Sequence, residues 1–203
     1  MKPLRILHCP TDCGWQGPLE AKYERKLGHD SWSIVFNQSY LGFAADKVYA
    51  GRGIKHLLKI EFVRWWVILK ALKYDVIHYN FGSNMTSTLI SVGMGQHSTL
   101  LRSIYMRWSA IMPMFDVWLY RKLGKVICVT FQGGDARQGF NARDKDEEPE
   151  GYYTEFADKL KRKRIKKWDK YAHFIYYLNP DLAQYLPDRA QYLPYCCMEI
   201  NHE

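Results

Sequence analysis

Apolar residues along this chain follow two periods, one suited to buried strands and one to helices. Residues 4–9 form a short apolar run ending at Pro10, which predicts a first, buried strand. Pro18 then suits the first turn of a helix, and Leu19, Tyr23 and Leu27 recur every four residues on one face. Gly28 is placed to end that helix in a left-handed cap, and residues 31–37, with Trp32, Ile34, Val35 and Phe36, predict a second strand. Residues 42–53 are weakly patterned and read as a loop. Residues 57–72 predict a helix with Leu58, Phe62, Trp65, Leu69 and Leu72 on one face; Leu57, Ile60, Val63, Val67 and Ile68 widen the stripe over most of the surface.

Residues 74–81 predict a third strand and 82–99, rich in Gly and Ser, an irregular stretch. Residues 102–123 read as an aromatic-rich helical region broken or kinked at Pro113 and closed by Gly124. Residues 125–131 form a β-branched strand running into a glycine-bearing turn at 132–137. Residues 144–151 read as an acidic surface loop. Residues 155–171 predict a helix with Phe156, Leu160, Ile165 and Trp168 inward, 173–178 a strand, Asn179-Pro180-Asp181 a turn into a short helix, and 191–194 a last strand. Strand followed by helix, repeated, predicts an α/β fold: a Rossmann-like parallel sheet with helices on both faces, in one domain over residues 1–203.

The chain has 203 residues, a length that suits one domain. It is 47% hydrophobic and 25% charged, which excludes a wholly disordered protein. Five cysteines, without zinc-site spacing, argue for neither a disulfide scaffold nor a metal cluster. No secretory signal and no apolar stretch long enough for a spanning helix is visible, so the expected compartment is the cytoplasm. The net charge of +8 fits anionic partners in general. Eight of the basic residues fall within 155–170 against three acidic ones, and Lys161, Arg162, Arg164 and Lys167 are the residues expected to meet an anion or an anionic membrane surface, peripheral at the inner face. The competing reading is a solvated helix face. Nucleic acid is disfavoured, because no reader motif accompanies the charge.

Ligands of parallel sheets bind beyond the carboxyl ends of the strands. Loops containing Gly14 and Gly17, Gly82, and Gly133 and Gly134 leave three of the strands here, and glycine lets backbone approach a bound group. The first loop completes neither G-x-G-x-x-G nor a Walker motif, so ordinary NAD or ATP binding is not indicated. Asp12 reads as a turn or capping residue. Arg137 reads equally as an anion-binding fork or as a surface partner of Asp135 or the acidic loop. His8 and His78, inside strands, read as buried and satisfied rather than as ligands, and no metal is expected.

Several segments together resemble the acceptor-side, N-terminal half of the GT-B glycosyltransferases of the family 4 type. The segments are Ile6-Leu7-His8 into a glycine loop, Leu27-Gly28-His29, Asp75-Val76-Ile77-His78, Thr130-Phe131-Gln132-Gly133-Gly134-Asp135-Ala136-Arg137, Tyr177-Leu178-Asn179-Pro180-Asp181 and Tyr192-Leu193-Pro194-Tyr195. Gln132 departs from that pattern, which has histidine there. The resemblance implies acceptor binding by Gly14, Gly17, Gln132, Gly133, Gly134, Asp135 and Arg137, and no assignable catalytic base. It implies a sugar or lipid-linked acceptor and a separate donor-binding domain or subunit absent from this chain. The nucleotide-sugar donor would then be bound by that missing half, with no cofactor held here. The alternatives are a non-catalytic binding module or a partner-dependent subunit.

Overall fold

The computed structural model describes residues 2–36, 44–49, 54–86, 113–139 and 155–195. Among these residues seven parallel strands form one sheet in the order β3-β2-β1-β4-β5-β6-β7. The strands are β1 (Arg5–Cys9), β2 (Asp30–Val35), β3 (Lys47–Val48), β4 (Val76–Asn80), β5 (Val126–Phe131), β6 (Phe174–Tyr177) and β7 (Gln191–Tyr192). The helices are α1 (Gln16–Lys26), α2 (Ile54–Lys70), α3 (Phe115–Lys122) and α4 (Glu155–Tyr171). The Rossmann-like α/β class expected from the sequence is the fold observed. Chain direction across the sheet reverses between β1 and β4, which makes their carboxyl ends the topological switch point.

Register fixes which side chains share a face. His8 of β1 aligns with Ser33 of β2 and His78 of β4, and His78 with Cys128 of β5. Alternation then sorts the strands into two unlike faces. One presents Leu7, Cys9, Ile77, Tyr79, Ile127, Val129 and Phe131, all essentially buried, to α2, α3 and α4. Tyr79 packs at a tilt against Trp168 of α4, ring centres 5.0 Å apart, and donates its hydroxyl to Asp116 of α3 at 3.0 Å. The other face presents His8, Ser31, Ser33, His78, Asn80, Cys128 and Thr130 beside Ile6, Val35 and Val76, and among the described helices α1 covers this largely polar surface. A polar face under a helix is unusual for a parallel sheet, whose strands ordinarily bury apolar runs on both sides.

Three expectations about helix faces need correction. In α2 the buried positions are Ile60, Arg64, Val67 and Ile68, while Phe62 is 74% and Leu69 63% exposed. A helix apolar nearly all round offers no period to choose between stripes. The choice falls to Arg64, which donates to the Thr86 carbonyl at 2.8 Å and pairs with Glu61 inside the fold. In α4, Ile165 and Trp168 are buried as expected, but Leu160 is half exposed. Leu27 likewise lies outside the α1 contact face. β3 was not foreseen in the loop expected at 42–53. The irregular stretch expected at 82–99, the 102–112 portion of the aromatic helix and the acidic loop at 144–151 lie wholly or largely outside the described residues.

Candidate functional site

The carboxyl rim of β1, β4 and β5 holds three side chains whose polar atoms are buried without hydrogen-bond partners. They are the Asp12 carboxylate, the Asn80 amide and the Gln132 amide. Asn80 ends β4 and is 1% exposed; Gln132 follows β5 and is 3% exposed. Asp12 follows β1, where the Thr11 hydroxyl ties the loop to the Asn80 carbonyl at 3.0 Å. Burial raises the Asp12 carboxyl to about 6, partly opposed by the Trp15 backbone amide. Burial likewise pushes the Cys13 thiol up to about 11, with Asp135 and Asp12 adding to the effect, so this thiol is no ready nucleophile. An unpartnered buried polar group costs about 1–3 kcal/mol. Three of them at one rim are concentrated where this fold binds ligands.

Glycines set the packing at this rim. A Cβ on Gly17, in the first turn of α1, would lie 2.4 Å from Asn80 Nδ2 and 3.3 Å from His8 Cβ. Gly17 therefore lets the helix seat directly on β1 and β4, which is a packing role rather than a contact with a ligand. Gly14 has φ +63°, and its Cβ would face the Tyr195 ring at 3.8 Å. Tyr195 also donates to the Gln132 carbonyl at 3.4 Å and accepts from the Asn179 amide at 3.1 Å. The turns at 14–17 and 132–135 thus open on the same rim, bridged by Tyr195.

Asp135 is turned inward: it accepts from the Gln132 backbone N–H at 3.1 Å and the Gly133 backbone N–H at 2.7 Å, and burial raises its carboxyl. It shapes the turn that carries Gln132. A Cβ on Gly133 would meet the Arg137 guanidinium at 3.2 Å. Arg137 forks onto Asp181 at 2.7 and 3.2 Å, a partner that neither reading of the sequence considered. In the basic helix, Lys161 donates to the Arg137 carbonyl at 2.7 Å, Arg162 to Gln138 at 2.9 Å and Arg164 to the Asp135 carbonyl at 2.5 Å. These three hold the turn after β5; Lys167 points to solvent. No described helix is long and apolar enough to cross a membrane, and no observation supports a peripheral membrane role.

One step below the rim, under α1, lies a second cluster. His8 Nδ1, His78 Nδ1 and Glu20 Oε2 stand 3.0, 3.1 and 3.0 Å from one another. Glu24 faces His8 Nε2 at 2.8 Å and Thr130 Oγ1 faces His78 Nε2 at 2.7 Å. Although burial opposes it, contact with Glu20 and Glu24 raises His8 to about 9, and the histidines hold both glutamates below the usual carboxylate range. Both histidines are buried, as read from the sequence, but Glu20 and Asn80 were not singled out. The available signal was Glu20 and Glu24 at four-residue spacing on the helix face opposite two strand histidines. A cavity of about 130 Å³ between α2 and β1–β3 is lined by apolar groups and Lys47, Lys70 and Lys73. It lies away from the strand carboxyl ends and collects none of the unpartnered groups.

No family model and no curated protein matches the chain. Among solved structures it is similar to the ADP-L-glycero-D-manno-heptose-6-epimerase of Helicobacter pylori, at 14% identity and a TM-score of 0.35. The match covers 88% of this chain and 55% of that one, so the chain spans about half the length of that enzyme. A likeness of this size says nothing about activity. The resemblance to GT-B glycosyltransferases is corrected here: no family model of that kind matches the chain. The motifs behind it have local explanations. Leu27-Gly28-His29 is a helix end, with Gly28 at φ +90° and the His29 amide on the Glu24 carbonyl. Asp75 opens β4 by pairing with Arg5. The segment from Thr130 to Arg137 is a strand and a turn closed by Asp135. Any parallel α/β domain needs such parts.

Proposed function

We propose that this domain binds a hydroxyl-rich small molecule, a sugar or the sugar moiety of a nucleotide-sugar, in the crevice at the carboxyl ends of β1, β4 and β5. The observation behind this reading is the set of unpartnered side chains on Asp12, Asn80 and Gln132. Two amides and a carboxylate offer donors and acceptors in fixed planes, which suits adjacent hydroxyls that each donate and accept. A site built to hydrogen-bond hydroxyls rejects analogues that lack them, because its own buried groups would stay unpaired. Tyr195, half exposed beside Gly14, supplies an apolar ring at the same rim. The α1 helix begins there without a side-chain cap or an acid in its first turn, and the positive end of its dipole favours a phosphate attached to that sugar.

Within this reading Gln132 contacts ligand directly, Gly133 and Asp135 shape the turn that presents it, and Arg137 braces that turn through Asp181. A separate domain or subunit would supply the wall facing the rim. Isothermal titration of the chain with free hexoses, UDP, and UDP- and GDP-sugars tests the proposal. Saturable binding of sugar-bearing ligands, weakened at least tenfold by Gln132→Ala, is expected. Binding of UDP equal to that of UDP-sugars, or no binding of any of them, would overturn it.

A further inference from the structure

We propose that His8, Glu20 and His78 form a binding site for a divalent transition-metal ion that ties α1 to β1 and β4. Three atoms with lone pairs, His8 Nδ1, His78 Nδ1 and Glu20 Oε2, meet with every pair at 3.0–3.1 Å. A single proton bridges only one edge of such a triangle, that between His8 and His78. If one nitrogen carries hydrogen, the two remaining atoms face each other as acceptors. If both nitrogens do, two N–H groups collide across 3.0 Å. Glu20 Oε2 is buried between the two histidines, 3.1 Å from His8 Nδ1 and 3.0 Å from His78 Nδ1. A cation at the centre accepts all three lone pairs at once.

The dimensions fit. For bonds of about 2.1 Å, triangle edges of this length correspond to ligand–metal–ligand angles of roughly 90°, three adjacent corners of an octahedron. Two imidazoles and one carboxylate at adjacent octahedral corners suit iron(II) over magnesium or calcium, with Zn²⁺ as a redox-inert stand-in for the same donor set. The outer partners are also those of a metal site. Each imidazole turns its other nitrogen to a fixed group: His8 to Glu24 at 2.8 Å, and His78 to Thr130 Oγ1 at 2.7 Å. Such contacts hold ring orientation and raise ligand basicity. Glu20 and Glu24 balance the two positive charges of the ion. Its binding does not depend on a sugar ligand at the rim.

The experiment strips the full chain with a chelator and titrates it with Zn²⁺, reading bound metal by mass spectrometry and the histidine rings by ¹⁵N NMR. One ion per chain is expected, with the Nδ1 resonances of His8 and His78 shifting together and the unfolding midpoint rising. Glu20→Gln should abolish uptake, and Glu24→Gln should weaken it about 10–100-fold. Uptake unchanged in Glu20→Gln, or His8 and His78 resonances unmoved by Zn²⁺, would overturn the proposal. If the variants fail to fold, the ring resonances of the unaltered chain decide alone.

Discussion

Replacing Asp12 by Asn should make the protein more stable at neutral pH and unable to bind its ligand well. The Asp12 carboxyl rises from an ordinary 3.8 to about 6 because burial penalises its charge, and neither oxygen has a hydrogen-bond partner. Since its folded pKa lies above the unfolded one, the folded state binds the proton more tightly, and stability falls as pH rises from about 4 to 6. A pKa difference of about two corresponds to about 3 kcal/mol. Asp12 is only half buried, and solvent screening reduces this to about 1–1.5 kcal/mol. Asn at this position keeps the shape and removes the charge. Urea unfolding of both proteins at pH 4 and pH 8 checks the reasoning: the variant should gain about 1–1.5 kcal/mol at pH 8 and little at pH 4. A variant less stable at pH 8, or a gain equal at both pH values, would refute it. A stabilising change that harms binding is what a group held unpaired for a ligand produces.

Other expectations concern the parts that hold the rim in place. Asp116 accepts from Tyr79 Oη, Asn84 Nδ2, the Met85 amide and Thr86 Oγ1, so Asp116→Ala strands several buried donors and should cost about 3–5 kcal/mol by chemical denaturation. At Gly82, φ is +51° and a Cβ would lie 2.7 Å from the Phe131 ring; Gly82→Ala should cost about 2–4 kcal/mol, combining strain with overpacking. Gly28 also has positive φ but open space around it, so Gly28→Ala should cost only about 1 kcal/mol, and equal losses at the two glycines would refute the packing argument. Trp168→Phe removes a bond to the Gly82 carbonyl at 2.9 Å from a fully buried ring, and thermal unfolding should show a loss of about 2–3 kcal/mol.

The strands at 5–9, 76–80 and 126–131 were readable because each is an apolar run bounded by proline, glycine or asparagine, and the strand–helix order implied the parallel sheet. The inward face of α2 was not readable. Its apolar positions surround the helix, and the deciding contact, Arg64 to the Thr86 carbonyl, links residues that no local pattern joins. The rim was half legible. Glycine loops pointed to Gln132, yet Asn80 looked like the end of a strand and Asp12 like a cap. Their significance comes from what they lack, a partner in space, and a sequence does not display that. The His8–Glu20–His78 cluster depends on the alignment of β1 with β4 across seventy residues and on the rotation of α1. The motifs that resembled a glycosyltransferase misled because turn chemistry repeats wherever strand, turn and helix repeat.

The central claim is that Asp12, Asn80 and Gln132 stay unpaired to receive hydroxyl groups. Side-chain amide ¹⁵N–¹H spectra of the chain, titrated with UDP-hexoses and free hexoses, test it most directly. The account predicts that the Asn80 and Gln132 NH₂ signals shift first and saturate together, with the same midpoint. Binding that moves other resonances while these two amides stay still would contradict it.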